Sequence, residues 1–430
     1  MRDPAKHVLL LMPREGYILA RFTGAIQRLG LDVTLAFDQP TEKCWLLVSL
    51  VNGEYGSLTR VPYPSDTSQT PELPFKVDAV IPTSEFSVQL CERLCAAAGV
   101  FHNPLATVPA YRDKQQMRRL FAGRGVRQPE ILARFDSLDE VDAFDWARIR
   151  FPVIVKPVDL TSSLYVKQCH SQAEARAVYR RIFKHVQSFG GVTFSGAGLL
   201  ETYVPGPEFS AECVVHGGKL RRLFVTTKFV SPLPACDEIG HLSGAPVSPA
   251  HWQEVQDLAH GVIRAWNVDR AVLHIEYKFV NDTAVVMEAG CRIGGDFIAE
   301  LVELQHGVCL EEMLVAMRLG RLGDAVEESL PQPAAAQHFH GIRFLFASSR
   351  STASADVEVL REVHYTRSPG PSRQLGIHDR LGYQVVRSPS LASLTACLGM
   401  DGQPQGLPHA AAAAQPSNHA CRPTSLNSVE

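Results

Sequence analysis

The sequence predicts a mixed fold, an α/β domain followed by α+β lobes, and three observations carry that expectation. Short apolar runs alternate with amphipathic stretches over the first hundred residues. From Gly198 onward, β-branched and aromatic runs follow one another with turns between them, and one pair reads as a hairpin. The 430 residues suffice for roughly two to three domains with sizeable cores.

In chain order, "HVLLLM", "YILARFTGAIQRLG", "DVTLAF", "VDAVIP" and "SEFSVQLCERLCAAAG" form a βαβ series, hence a small parallel sheet flanked by helices over residues 1–105. The first strand lacks a following G-x-G-x-x-G, so a dinucleotide fold of the usual kind is not supported. "YRDKQQMRRLFAGRGV" reads as a helix closed by Gly123 or Gly125. Capping boxes, Ser137 with Glu140 and Ser171 with Glu174, open two more. "RFPVIVKP" is a strand stopped at Pro157, "GLLETYVPGPEFSAECVV" holds two strands split by "PGP", and "RRLFVTTKF" holds another. Residues 335–398, with "HGIRFLFASS" and "DRLGYQVVRSPSLASLTACL", supply strands and a helix for a small C-terminal α+β lobe. From residue 401 the chain turns to Gln, Pro, Ala and Ser, the composition of a disordered tail over 401–430.

Charge narrows the partners. Lys+Arg number 42 against Asp+Glu 45, a net charge of −3 with no long basic block, so the footprint of a nucleic-acid binder is missing and a small molecule is expected. Ten scattered cysteines show no C-x-x-C pair and no zinc spacing, which fits a reducing, cytoplasmic location. The first apolar run breaks at Pro13 and Arg14, and nowhere do about eighteen apolar residues run together, so neither an export signal nor a membrane span is expected.

The chemistry concentrates near "VLHIEYKFVNDTAVVMEAG". With a three-residue turn, Asn281 to Thr283, Val280 pairs with Ala284 and Glu276 faces Glu288. Carboxylates facing each other across a sheet destabilise it unless they share a proton or a cation, and magnesium suits hard oxygen ligands. The alternative places one of the two at a solvated sheet edge. Arg292, four residues after Glu288, can clamp a carboxylate or phosphate bidentately, and Gly294 and Gly295 let the backbone approach a ligand or turn into "DFIAELVELQHG". Lys156 ends an apolar strand and either snorkels out or meets an anion, which beside paired carboxylates suggests a triphosphate. "VDLTSSLYV" offers the hydroxyls of Ser162 and Ser163 to phosphate oxygens, although it has no glycine. Glu201 and Glu208 flank "PGP", where a carboxylate can accept from ribose hydroxyls and strand-end backbone can pair with an adenine edge.

Taken together, "RDKQQMRRLFAGRGVRQP", "FPVIVKP", "LLETYVPGPEFS", "HIEYKF" and "VVMEAGCRIGGDFI" resemble the ATP-grasp superfamily over about residues 106 to 320. The resemblance implies an ATP-grasp fold: an N-terminal Rossmann-like pre-ATP-grasp domain (1–105), a small lobe with linker helices (106–200), and a large lobe with the C-terminal α+β extension (201–400). It implies that Lys114 and Lys156 bind phosphates of ATP, with Leu160, Ser162 and Ser163 in the mobile loop above them. Glu201, Thr202, Tyr203 and Val204 would form the adenine hinge, with Glu208 near the ribose. Glu276 and Glu288 would hold magnesium, with manganese as an alternative, and Arg292 would bind the activated carboxylate. Within the superfamily, "IPTSEFSV", "EIGHLSGAPVSP" and "EAGCRIGGDFI" are most similar to the L-amino-acid ligases that make dipeptides. That likeness puts Glu85 against the substrate, and Glu238 and His241 in the acceptor pocket. Many relatives carry asparagine two residues after the second metal carboxylate, where this chain has Gly290; the dipeptide-ligase branch often lacks it too.

The implied reaction is amide synthesis between two amino acids through an acyl phosphate, releasing ADP and phosphate, with His241 or Glu238 positioning the amine or taking its proton. One rival is a ligase for another carboxylate, a peptide or bicarbonate. The other is an ATP-binding regulatory protein on a degenerate fold. Homodimers are common in the superfamily, so self-association is compatible with this reading.

Overall fold

The computed structural model describes residues 6–11, 16–37, 57–61, 69–161, 163–185, 188–189, 192–231, 238–322, 337–347, 355–365 and 380–399. The tail expected from residue 401 and Ser162 both lie outside the described residues. Near the N-terminus, β1 (His7–Leu11), β2 (Asp32–Phe37), β3 (Ser57–Arg60) and β4 (Ala79–Pro82) form a parallel sheet in the order β3-β2-β1-β4. Val8 to Leu11 are fully buried, as expected of a parallel strand covered on both faces. Helices α1 (Gly16–Arg28) and α2 (Val88–Ala97) flank this sheet. Beyond the carboxyl end of β4, the Ser87 hydroxyl accepts from the backbone N–H groups of Thr83 and Ser84, each at 3.2 Å, and so fixes the turn that carries Glu85. Ligands of open α/β sheets gather at such strand ends.

A second, antiparallel sheet has the order β5-β10-β6-β7, from β5 (Ile131–Phe135), β6 (Val153–Pro157), β7 (Lys167–Cys169) and β10 (Gly198–Thr202). A short ribbon, β8 (Ser188–Phe189) with β9 (Val192–Thr193), precedes β10. Helix α3 (Lys114–Ala122) leads into this lobe, and α4 (Leu138–Ala143) and α5 (Gln172–His185) cover it around Phe135, Trp146, Tyr179 and Leu200. The two capping boxes form with a shift of one residue. Ser137 and Ser171 accept from the N–H groups of Glu140 and Glu174, while those carboxylates reach back to the N–H groups of Asp136 and His170 at 2.7 and 3.1 Å.

The large sheet holds β11 (Glu208–His216), β12 (Lys219–Val230), β13 (Glu238–Ser243), β14 (Arg270–Val280), β15 (Thr283–Gly290), β16 (Phe339–Leu345), β17 (Glu358–His364) and β18 (Gly382–Ser388). Its order is β15-β14-β11-β12-β13-β16-β18-β17. The C-terminal α+β segment is continuous with this sheet, since β16 pairs with β13 and α9 (Leu391–Leu398) packs on both. The strands on either side of "PGP" belong to different sheets, so this segment links the two lobes. At its centre Gly206 has φ +113, and a side chain there would overlap the Phe279 carbonyl.

Along β14, Leu273, Ile275 and Tyr277 pack with Trp266 of α6 (Pro249–Trp266), while Val272 faces a second core with Leu314 of α8 (Leu310–Arg318). Period-two alternation therefore turns His274 and Glu276 away from the α6 core. Helix α7 (Ile298–His306) follows the loop after β15. A buried network ties α2 to α8: the Glu92 carboxylate accepts from Arg318 Nη1 at 3.0 Å and from Asn103 N at 2.8 Å. Among the described residues, no helix is long and apolar enough to cross a membrane.

The hairpin requires a correction. Its turn takes two residues, Asn281 and Asp282, both left-handed (φ 48 and 59), so Val280 pairs with Thr283 and not with Ala284. A bulge between Glu276 and Tyr277 then skips Met287 and sets Glu276 opposite Glu288 after all.

Candidate active site

Glu276 and Glu288 face one cleft from neighbouring strands, and each meets a lysine. Lys114, the first residue of α3, stands 2.9 Å from Glu288 Oε1 and donates to the Leu160 carbonyl at 2.6 Å. Lys228, on β12, reaches Glu276 Oε1 at 3.0 Å, Glu208 Oε1 at 3.0 Å and Glu238 Oε1 at 2.7 Å. Burial works against the Lys228 charge, but the three carboxylates outweigh it and raise its pKa well above the usual lysine value. Burial likewise opposes ionisation of Glu276, yet Lys228 and His274 hold that carboxyl well below the usual range.

His274 lies between two carboxylates, with Nδ1 2.5 Å from Glu212 Oε1 and Nε2 3.2 Å from Glu276 Oε1. Both partners only accept, so both ring nitrogens donate. Burial lowers the histidine pKa, and the charge and hydrogen bonds of Glu212 and Glu276 more than compensate, raising it to about 9.

A second cluster lies under the small-lobe side of the cleft. Glu201, at the end of β10, accepts from Arg118 through both oxygens at 3.0 and 3.3 Å and meets Lys156 Nζ at 2.7 Å. Burial raises the Glu201 pKa, but Arg118 and then Lys156 dominate and bring it down to about 2. Lys156 is nonetheless pushed down, because its own burial outweighs Glu201 and because Arg118 and Lys114 repel it. Arg118 also donates to the carbonyl of Met287, the bulged residue, at 2.6 Å. One guanidinium thus anchors both the Glu201 carboxylate and the bulge that precedes Glu288.

The third element spans the N-terminal and large sheets: Arg292 Nε pairs with Glu85 Oε2. Burial opposes the Arg292 charge, while Glu85, Glu276 and Glu288 favour it, and the net effect raises its pKa. Gly290 lies beneath this pair. A Cβ there would stand 3.2 Å from Glu85 Oε2 and 3.4 Å from Arg292 Cγ, so an asparagine ligand at 290 would crowd the Glu85–Arg292 pair.

Of the residues singled out in the sequence, Glu85, Lys114, Lys156, Leu160, Ser163, Glu201, Thr202, Tyr203, Val204, Glu208, Glu238, Glu276, Glu288 and Arg292 line this one cleft. Residues 149–300 match the ATP-grasp domain family. That match covers 152 of the 430 residues. The match with alanine–anticapsin ligase of Bacillus subtilis is 21% identical over 257 residues and covers 56% of this chain and 54% of that protein. With dapdiamide A synthase of Enterobacter agglomerans, identity is 23% over 240 residues, covering 54% of each. The chain thus spans about half the length of the curated relatives it matches. An L-amino acid ligase from Bacillus licheniformis superposes with a TM-score of 0.69 at 19% identity, covering 92% of this chain and 96% of that one. Phosphoribosylglycinamide synthetase from Anaerococcus prevotii gives a TM-score of 0.62 at 14% identity, with 91% and 96% covered. Together with the family match over residues 149–300, these structural likenesses show the ATP-grasp fold.

His241 does not join the wall of the ATP-grasp cleft. It is fully buried, with Nε2 3.3 Å from Glu238 Oε2 and 3.9 Å from Asp296 Oδ2, and its ring meets the Phe344 ring edge-on. On β13 it pairs with Lys228 of β12, so its side chain faces the same side of the sheet as that lysine, in contact with the lining carboxylates Glu238 and Asp296 rather than with the open cleft. Asp296 takes the lining position, gripped by both Arg380 amino groups at 2.8 and 2.9 Å. Sequence reasoning missed Arg118, Lys228, His274 and Asp296. For Lys228 the signal was present: "FVTTKFV" puts one lysine in an apolar strand, the criterion that found Lys156.

Proposed function

We propose that this protein is an ATP-dependent carboxylate–amine ligase that joins two amino acids through an acyl phosphate, releasing ADP and phosphate. The observation that carries this reading is the convergence of Lys114, Lys156, Glu276, Glu288 and Arg292 on one cleft between two sheets. A degenerate binding fold would be expected to have lost part of that set.

Glu276 and Glu288 fit magnesium: they are hard oxygen donors from adjacent strands, and two lysines already offset their charge at 3.0 and 2.9 Å. Magnesium bound there would draw off charge developing on the transferred phosphoryl group. Lys114 and Lys156 offset the remaining phosphate charge, which makes catalysis mostly electrostatic positioning. Glu201 to Val204 present the strand end to the adenine edge, Glu208 meets the ribose, and Leu160 and Ser163 sit over the phosphates. Arg292 grips the donor carboxylate so that its oxygen is aimed at the γ-phosphorus, and Glu85 keeps the guanidinium in place. Glu238 and Asp296 give the acceptor side an acidic wall suited to an ammonium group, and Glu238 or His241 positions the amine or takes its proton. His241 supports that wall from behind.

The test is a panel of amino-acid pairs with ATP and magnesium, read by nucleotide analysis and by mass spectrometry of the product. ADP with a dipeptide is expected. AMP and pyrophosphate would eliminate the acyl-phosphate scheme, and ATP binding without amino-acid-dependent turnover would favour a regulatory protein.

A further inference from the structure

Two charged residues, His274 in the cleft wall and Glu212 behind it, are not accounted for by the phosphate, metal or carboxylate roles above. Glu212 is fully buried on β11 and faces His274 across the β11–β14 ladder. A buried charge is costly unless each oxygen is satisfied, and an apolar pair of similar volume would hold two strands together at least as well. The Glu212 oxygens divide between two different parts of the site. Oε1 accepts from His274 Nδ1 at 2.5 Å, and Oε2 accepts from the backbone N–H of Gly294 at 3.2 Å.

Each branch leads to a residue of the cleft. Through His274 Nε2, 3.2 Å from Glu276 Oε1, the first branch reaches the proposed metal carboxylate. Lys228 takes the same oxygen at 3.0 Å, so the two contacts fix the rotation of the carboxylate and leave Oε2 for a cation. Through Gly294, the second branch holds the loop after β15, which carries Arg292 two residues before and Asp296 two residues after. Glycine is required at this point: a Cβ would stand 2.8 Å from His274 Nδ1 and 3.0 Å from Glu212 Oε2.

We propose that the Glu212–His274 pair is a positioning relay that sets the orientation of the metal carboxylate Glu276 and, through the Gly294 backbone, the loop carrying Arg292. The relay rests on the ligase reading for the roles of Glu276 and Arg292. In metal sites, partners that orient a ligand commonly contribute about 10- to 100-fold in affinity.

The experiment compares wild type with Glu212→Gln, His274→Asn and Gly294→Ala in the full chain. Folding is checked by circular dichroism and urea midpoint. Binding of Mn²⁺ in the presence of ADP is read from the electron paramagnetic resonance of the free ion, and turnover is resolved into kcat and KM for the donor amino acid. For Glu212→Gln and His274→Asn, Mn²⁺ binding about 10- to 100-fold weaker is expected. Gly294→Ala should raise KM for the donor at least as much as it lowers kcat, because it disturbs the Arg292 loop first. Folded variants that bind Mn²⁺ with wild-type affinity would overturn the proposal. So would failure of both Glu212→Gln and His274→Asn to fold, since the pair would then be a stability element. A wild type that binds Mn²⁺ with ADP but releases no ADP with amino acids would remove the ligase reading, while the binding comparison still decides the relay.

Discussion

Replacing Glu201 with glutamine keeps the side-chain volume and deletes the charge that Arg118 and Lys156 share. Both cations remain buried, with side chains 3% and 7% exposed. Removing one partner from a buried ion pair costs about 3–5 kcal/mol. The Glu201 pKa gives a second measure: a carboxyl brought from 4.5 to about 2 carries about 3 kcal/mol of differential interaction, at roughly 1.4 kcal/mol per pKa unit. The two agree. The folded carboxyl is the more acidic, so its contribution is complete above pH 4.5 and is lost as pH falls from 4.5 towards about 2. Urea unfolding of wild type and Glu201→Gln at pH 7, 5 and 4 checks this. The gap should be about 3 kcal/mol at pH 7 and 5 and should begin to narrow at pH 4. Added ATP should stabilise the variant more than wild type, because a triphosphate supplies Lys156 with the anion it has lost. A gap under about 1 kcal/mol at pH 7, or one that does not change with pH, would refute the reasoning.

Three further outcomes are expected. Glu288→Ala should lower ADP release by more than about 100-fold and weaken Mn²⁺ binding, since it removes a proposed ligand itself rather than a residue that orients one. Gly206→Ala forces a side chain into a left-handed backbone against the Phe279 carbonyl, and should cost about 1–3 kcal/mol in urea unfolding. Glu92→Gln strips the charge from the buried Arg318 contact between α2 and α8, and a loss of about 3–5 kcal/mol should appear in thermal melts.

Much of this site was legible in the sequence because it lies on strands, where period-two alternation and hairpin counting have physical force. Glu276 facing Glu288 was anticipated, although through a three-residue turn; in the structure a two-residue turn and a bulge at Met287 give the same pairing. No composition signal marks that bulge, because it is held from outside the hairpin by Arg118. Lys156 was read as a lysine that either snorkels out or meets an anion, and in the structure it meets Glu201 at 2.7 Å; the same logic applied to Lys228 would have found the hub of three carboxylates. His241, expected in the acceptor pocket, lies fully buried against the lining carboxylates Glu238 and Asp296, a depth its motif does not encode. The Glu85–Arg292 pair joins residues 207 positions apart and follows only from how the N-terminal sheet docks on the large one. That docking also explains Gly290, whose lack of a side chain leaves room for the pair.

The central claim, that this cleft activates a carboxylate by phosphoryl transfer, is tested most directly with a donor amino acid labelled with oxygen-18 in its carboxylate. An acyl phosphate leaves one labelled oxygen in the phosphate released when the amine attacks carbon. The account predicts labelled phosphate, formed in step with ADP and amide. Unlabelled phosphate alongside product, or label appearing in AMP, would contradict it.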